Sequence, residues 1–118
     1  MDQMTTFQLL ERYLDLSSER HQLIVNNMAN IDTPGYRTRD LDFRHELQRA
    51  MVEGSPTAAP VLHQVSGLIE RPDGNNVSLD RESMLLSEAQ IQFRIGVQLI
   101  HREFSRLLTA INAGGTSS

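Results

Sequence analysis

Two long runs of apolar residues at helical spacing, one towards each end of the chain, limit what this sequence can fold into. From about residue 4 to residue 31 no Gly or Pro breaks the first run. At about 100° per residue, Leu9, Leu10, Leu14, Leu16, Leu23, Ile24, Met28 and Ile31 fall on one half of a helix. Glu11, Arg12, Asp15, Ser18, Glu19, Gln22 and Asn26 fall on the other, which assigns Arg12 to the solvent side. Leu9, Leu16 and Leu23 repeat at seven, and Leu10, Leu14, Ser17, His21, Ile24 and Met28 at four and three, the spacing of coiled-coil seams. Ser17, Arg20, His21 and Asn27 interrupt the apolar face. They either fix register and partner or sit at its exposed edge.

The second run predicts a helix over about 81–112, with Asp80 as N-cap and Glu82 at the positive end of the dipole. Leu85, Leu86, Ala89, Phe93, Val97, Ile100, Phe104, Leu107, Leu108 and Ile111 share one face, with Gly96 among them. Gly114 and Gly115 are expected to end this helix and the tail to fray. Met84, Ile91, Ile95 and Leu99 form another stripe, roughly opposite the first. A helix apolar on two sides must be covered on two sides. The cover is either the middle of the chain folding back or a neighbouring subunit.

The middle, 32–80, holds all four prolines and four of the seven glycines. Phe43–Met51 reads as a short helix, and Glu53–Pro60 as a flexible linker. Leu62–Glu70 reads as a strand, followed by a turn at Arg71-Pro72-Asp73-Gly74-Asn75 and a short return strand at Val77 and Leu79, a small hairpin. The expected fold is mainly α: two long terminal helices pairing as a coiled-coil-like hairpin around a loop-rich middle. Its three parts are 1–31, 32–80 and 81–118.

Composition excludes several functions. The net charge is −4, Lys is absent and no basic patch stands out, which argues against nucleic acid and against a membrane surface. No apolar run approaches the ~20 residues that span a bilayer. The start, Met1–Leu10, shows neither the basic nor the apolar region of a cleaved secretory signal. Cys is absent, so thiolate chemistry is excluded. His21, His45, His63 and His101 lack zinc-ligand spacing, so no metal or other cofactor is implied. Asp40, Asp42 and Glu46, beside Arg37, Arg39 and Arg44, read as a solvated, self-compensating surface. No catalytic residue is assigned.

The string Asn26-Asn27-Met28-Ala29-Asn30-Ile31-Asp32-Thr33-Pro34-Gly35-Tyr36 is a helix stop. Pro34 drives Thr33 out of the helical region, and Pro34-Gly35 suits the centre of a type II turn. Asn side chains can bond the carbonyls left free at the helix end. With Ala29, Asn30, Thr33, Pro34, Gly35 and Tyr36 as its marked positions, the string resembles the signature of the bacterial flagellar rod and hook axial proteins. Arg71–Glu82 and the short length resemble the proximal basal-body rod members of that family, the ending Leu107–Gly114 departs from the family's usual Tyr-Glu-Ala-Asn ending, and the resemblance covers essentially the whole chain.

The resemblance implies a structural protein of the basal-body rod, in the periplasm, reached by flagellar type III export without a cleaved signal. It implies terminal helices that pack with copies of the chain and with other rod or rod-adaptor proteins. It also implies an export-gate element of the form Phe-x-x-x-apolar, which Phe43 and Leu47 match; one face of a short helix would give the same spacing. The competing reading is a helical binding module such as an export chaperone or adaptor.

Overall fold

Thr5 starts the first helix. Its hydroxyl accepts from the Gln8 amide at 3.1 Å, and the Gln8 side chain accepts from the Thr5 amide at 2.9 Å. This reciprocal cap satisfies two donors that the helix itself leaves free. In a computed structural model, which describes residues 4–54 and 58–116, the order is α1 (Thr6–Ala29), β1 (Arg39–Leu41), α2 (Phe43–Glu53), β2 (Leu62–Gln64) and α3 (Leu79–Thr116). The chain is therefore mainly helical, with long N- and C-terminal helices, as its periodicity predicts.

α1 is the central element, because it is covered on two sides. Leu16 and Leu23 join Leu41, with Phe43 and Leu47 of α2 packed against them. Ile24 joins Leu85 and Ala89 of α3, flanked by Met28 and Leu86. Tyr13 meets Phe43 edge to face, with ring centroids 5.1 Å apart, and burial raises the Tyr13 phenol pKa above its ordinary value. α1 and α3 run antiparallel, with Gly96 opposite Tyr13 and Leu14. A Cβ on Gly96 would lie 2.7 Å from a Leu14 methyl and 2.8 Å from the Tyr13 ring, so the helices meet here only because position 96 has no side chain.

α2 begins at Asp42, whose carboxylate accepts from the His45 amide at 3.0 Å, and ends at Gly54 in the left-handed conformation, φ 68°. The sheet differs from the expected hairpin. β2 pairs antiparallel with β1, Arg39 opposite Gln64 and Leu41 opposite Leu62. Val77 is buried outside any strand, and Leu79 opens α3. The return partner of Leu62–Gln64 comes from upstream, beside the helix stop.

Two helix boundaries also differ. Ser78 caps α3 in place of Asp80: its hydroxyl accepts from the Arg81 amide at 3.3 Å, leaving Asp80 in the first turn. At the far end α3 continues through Gly114 and Gly115 to Thr116. Of the expected linker, residues 55–57 lie outside the described residues, as do 117–118 of the tail.

The molecule measures 73 × 30 × 17 Å, with a radius of gyration of 18.7 Å. A compact domain of this length would have about 13–14 Å. The excess comes from α3. With Gly96 opposite Leu14 and Ile24 packed on Leu85 and Ala89, the start of α1 lies opposite about residue 104. Beyond that point α3 extends past α1.

Candidate assembly surface

The helix stop and the Arg71–Glu82 segment, far apart in sequence, dock on one another. Gly35 has φ 75°, and the Tyr36 amide donates to the Thr33 carbonyl at 3.2 Å, closing the turn expected at Pro34-Gly35. The Gly35 amide donates to the Asp73 carbonyl at 2.8 Å. The Asn75 side chain donates to the carbonyls of Asn30 and Thr33 at 2.8 and 2.9 Å, and the Arg71 guanidinium donates to the Ile31 carbonyl. Asn30 returns its own amide to the Asn26 carbonyl at 2.8 Å. The last carbonyls of α1, those of Asn26, Asn27 and Met28, thus accept from Asn30 and Ile31 within the stop itself, and the second segment takes up the carbonyls of Asn30, Ile31 and Thr33 just beyond the helix.

Asn27 holds this junction to both long helices. Its amide donates to the Arg39 carbonyl at 2.8 Å and to Glu82 Oε2 at 3.2 Å. Its oxygen accepts from the Tyr36 hydroxyl at 2.8 Å and from the Arg39 amide at 3.2 Å. Asn27 is 1% exposed and Glu82 0%. Asn76 accepts from the Thr38 amide at 2.7 Å. Sequence reading missed Asn75, Asn76 and Glu82 as structural residues. The pair of adjacent asparagines after a Pro-Asp-Gly turn was the available signal, since Asn so often bonds nearby backbone.

Three expectations about polar residues need correction. Asp40 and Glu46 are buried, not solvated; the partners of Asp40 are distant arginines, and Glu46 has one on its own helix and one on α1. Asp40 pairs with Arg20 at 3.3 Å and Arg81 at 3.4 Å. Glu46 pairs with Arg49 at 2.6 Å and Arg12 at 3.9 Å. Arg12, assigned to the solvent side, is buried and donates to the Ala58 carbonyl at 2.6 Å. The interruptions of the α1 face divide: Ser17 and Asn27 are buried, Arg20 is half-buried and His21 is exposed. α1 has a second neighbour in α2 and β1, and the residues facing it need not be apolar if each charge is matched.

Along α3 the face against α1 centres on Leu85, Ala89 and Gly96. Phe93 and Phe104 are rotated roughly 60–80° from that centre and are 45% and 57% exposed. Among the expected packing residues, Leu16, Leu23, Ile24 and Ala89 are buried. Leu9, Leu10, Leu14, Met28, Leu86 and Ile100 are half-buried. Phe93, Phe104, Leu107 and Ile111 are exposed, the last three because they reach or pass the start of α1. Met84, Ile91, Ile95 and Leu99 are exposed on the other flank. Neither α2 nor the loops cover them. α3 thus carries an internal seam, two uncovered apolar flanks and an overhang. Near the overhang Arg106 bonds Glu103 at 2.6 Å, and that hydrogen bond holds the Glu103 carboxyl below its usual range.

The other marked residues are placed as follows. Ala29, Thr33, Pro34 and Gly35 are exposed; Asn30 and Tyr36 are half-buried. Phe43 and Leu47 share the α2 face turned to Leu16, Leu23 and Leu41.

Little here suits catalysis. A groove of about 510 Å³ between α1 and α3 is lined by Ser17, Ser18, His21, Ala89, Gln90, Phe93 and Arg94, with no carboxylate to orient the imidazole. Among the described residues no cluster of His, Asp and Glu could hold a metal ion, and no helix is long and apolar enough to cross a membrane.

No family model matches the chain. Individual relatives do. The Flagellar basal body rod protein FlgB of Cereibacter sphaeroides is 33% identical over 111 residues, covering 83% of this chain and 87% of the relative. Those of Yersinia ruckeri and Salmonella typhimurium are 27% and 25% identical over 122 residues, each covering 86% of this chain.

Proposed function

Because this chain belongs to the family of the flagellar basal body rod protein FlgB, a structural component of the flagellar basal body and not an enzyme, we propose that it builds the rod by packing its terminal helices against copies of itself and against other rod or rod-adaptor proteins, and so transmits torque. The uncovered flanks of α3 carry this reading. Met84, Ile91 and Ile95 on one side, and Phe93 and Phe104 on the other, are each 45% exposed or more. Side chains of this size stabilise a buried state by roughly 1.5–3 kcal/mol each. Neighbours on both flanks would turn a thin helix pair into one stave of a tube, with stiffness summed over many contacts. The relatives' names favour this reading over an export chaperone or adaptor.

Export precedes assembly in this proposal. The chain leaves the cytoplasm unfolded through the flagellar type III gate, and Phe43 and Leu47 serve as the gate element. In the folded chain both pack beneath α1, so they are available to a gate only before folding. Secretion of Phe43→Ala by a flagellated cell, measured in the periplasmic fraction, tests this part; unchanged secretion contradicts it.

The assembly part is tested by Ile95→Asp. The side chain is exposed, so the purified variant should keep its helix content and melting temperature. It should nevertheless be absent from isolated basal bodies, and the cells should not swim. Incorporation at the normal level would show that this flank is not a subunit contact. Replacing Pro34 and Gly35 by Ala should likewise abolish motility while leaving the protein expressed, because helix would run on where the docked turn belongs.

A further inference from the structure

α1 and α3 show solvent opposite charges. α1 exposes Glu11, Asp15 and Glu19, spaced four apart and so on one side of the helix. Its two arginines are engaged inside the fold, Arg12 with the Ala58 carbonyl and Glu46, Arg20 with Asp40. α3 has no acid between Glu88 and Glu103, and over that span it exposes Arg94, His101 and Arg102. Among the described residues none of these six side chains has an ion-pair partner.

The groove beside the α3 face adds an independent sign of a missing neighbour. Ser17 is 1% exposed, lines the groove with His21, Phe93 and Arg94, and its hydroxyl has no hydrogen-bond partner. Buried hydroxyls rarely go unpaired. A carboxylate entering the groove would accept from that hydroxyl and face the Arg94 guanidinium. Phe93 and Phe104 border the same side of α3 with exposed aromatic surface, suited to the aliphatic stems of an opposing helix.

We propose that the basic face of α3, with this groove, receives the acidic face of α1 from a second copy of the chain. Both halves of the complementarity lie on this one polypeptide, which is why a second copy is the occupant. The inference rests on the rod reading in one respect: giver and receiver are different patches, so the contact can propagate from copy to copy as a rod requires. Its electrostatic part is a prediction about the chain by itself.

Sedimentation velocity of the purified full chain tests it. Wild type should self-associate at low salt and dissociate as salt screens the faces. A triple reversal, Glu11→Arg with Asp15→Arg and Glu19→Arg, should weaken association about tenfold or more, and so should Arg94→Glu with Arg102→Glu. All five side chains are exposed, and circular dichroism checks that the helices persist. An equimolar mixture of the two reversed chains should associate again, because each supplies the face the other lost.

A wild type that stays monomeric at about 1 mM and low salt, a reversal without effect, or a mixture that fails to associate each overturns the inference. Isolated basal bodies separate this failure from that of the rod reading. If wild type and both reversed chains are incorporated equally, only the charge contact is wrong. If wild type itself is absent, the rod reading fails.

Discussion

Where α1 ends, Asn27, Tyr36, Asn75 and Glu82 tie two turns and two helices together, and Asn27, Asn75 and Glu82 are almost wholly buried. At the opposite end of the pair α3 runs on alone, with Phe104, Leu108 and Ile111 at 57%, 45% and 66% exposure. One end is closed by hydrogen bonds within the chain, and the other presents apolar surface that the chain does not cover. The contrast teaches how a small protein can be both a stable unit and an incomplete one. The closed end sets the register of α1 against α3, since Asn27 and Glu82 can meet in only one alignment. The open end then projects at a fixed place along the pair, where a neighbour can find it.

Substitutions can break this contrast, beginning with the strongest. Leu16→Ala removes a side chain that is 0% exposed and should cost about 3 kcal/mol in urea unfolding. Asn27→Ala should cost about 2–3 kcal/mol, because it leaves the Glu82 carboxylate and the Tyr36 hydroxyl each short of a partner inside the fold. Gly96→Ala should cost about 1–2 kcal/mol: crowding against Tyr13 and Leu14 outweighs the gain in helix propensity. Leu108→Ala, the same chemical change as at Leu16, should cost less than about 0.5 kcal/mol in the isolated chain. If Leu108→Ala matched Leu16→Ala, the overhang would be packed and the contrast would be wrong.

The smallest expected effect lies at Glu103. Its carboxyl is held below the ordinary value of 4.5 by Arg106. Any stabilisation is therefore full at neutral pH and fades only as pH falls through that lowered value. The pair is solvent-accessible, so Glu103→Gln should flatten the acid limb of stability against pH only slightly.

Much of this was legible in the sequence, and what was not had a common cause. Periodicity found both long helices and the short α2, because an apolar stripe at 3.6 spacing is a local signal. The Thr-Pro-Gly-Tyr stop was legible for the same reason: proline and glycine act on their own backbone. The partner of Leu62–Gln64 was not, since a local hairpin and a pairing with β1 leave the same alternation. Arg12 and Asp40 looked solvated because their partners are far away in sequence; Glu46 has Arg49 one turn away, but α1, which buries the pair with Arg12, is far from it in sequence. The stripe on α3 was read as one face, whereas Ala89 and Gly96 pack and Phe93 and Phe104 do not. Periodicity gives an angle, but it does not say how far along α3 its partner reaches.

Amide hydrogen exchange on the purified chain and on isolated basal bodies tests the central claim most directly. Amides of α3 beyond Phe104 should exchange within seconds in the free chain and be strongly protected in the rod, while those around Asn27 and Leu85 should be protected in both. Equal, slow exchange of the overhang in the free chain and in the rod would contradict it.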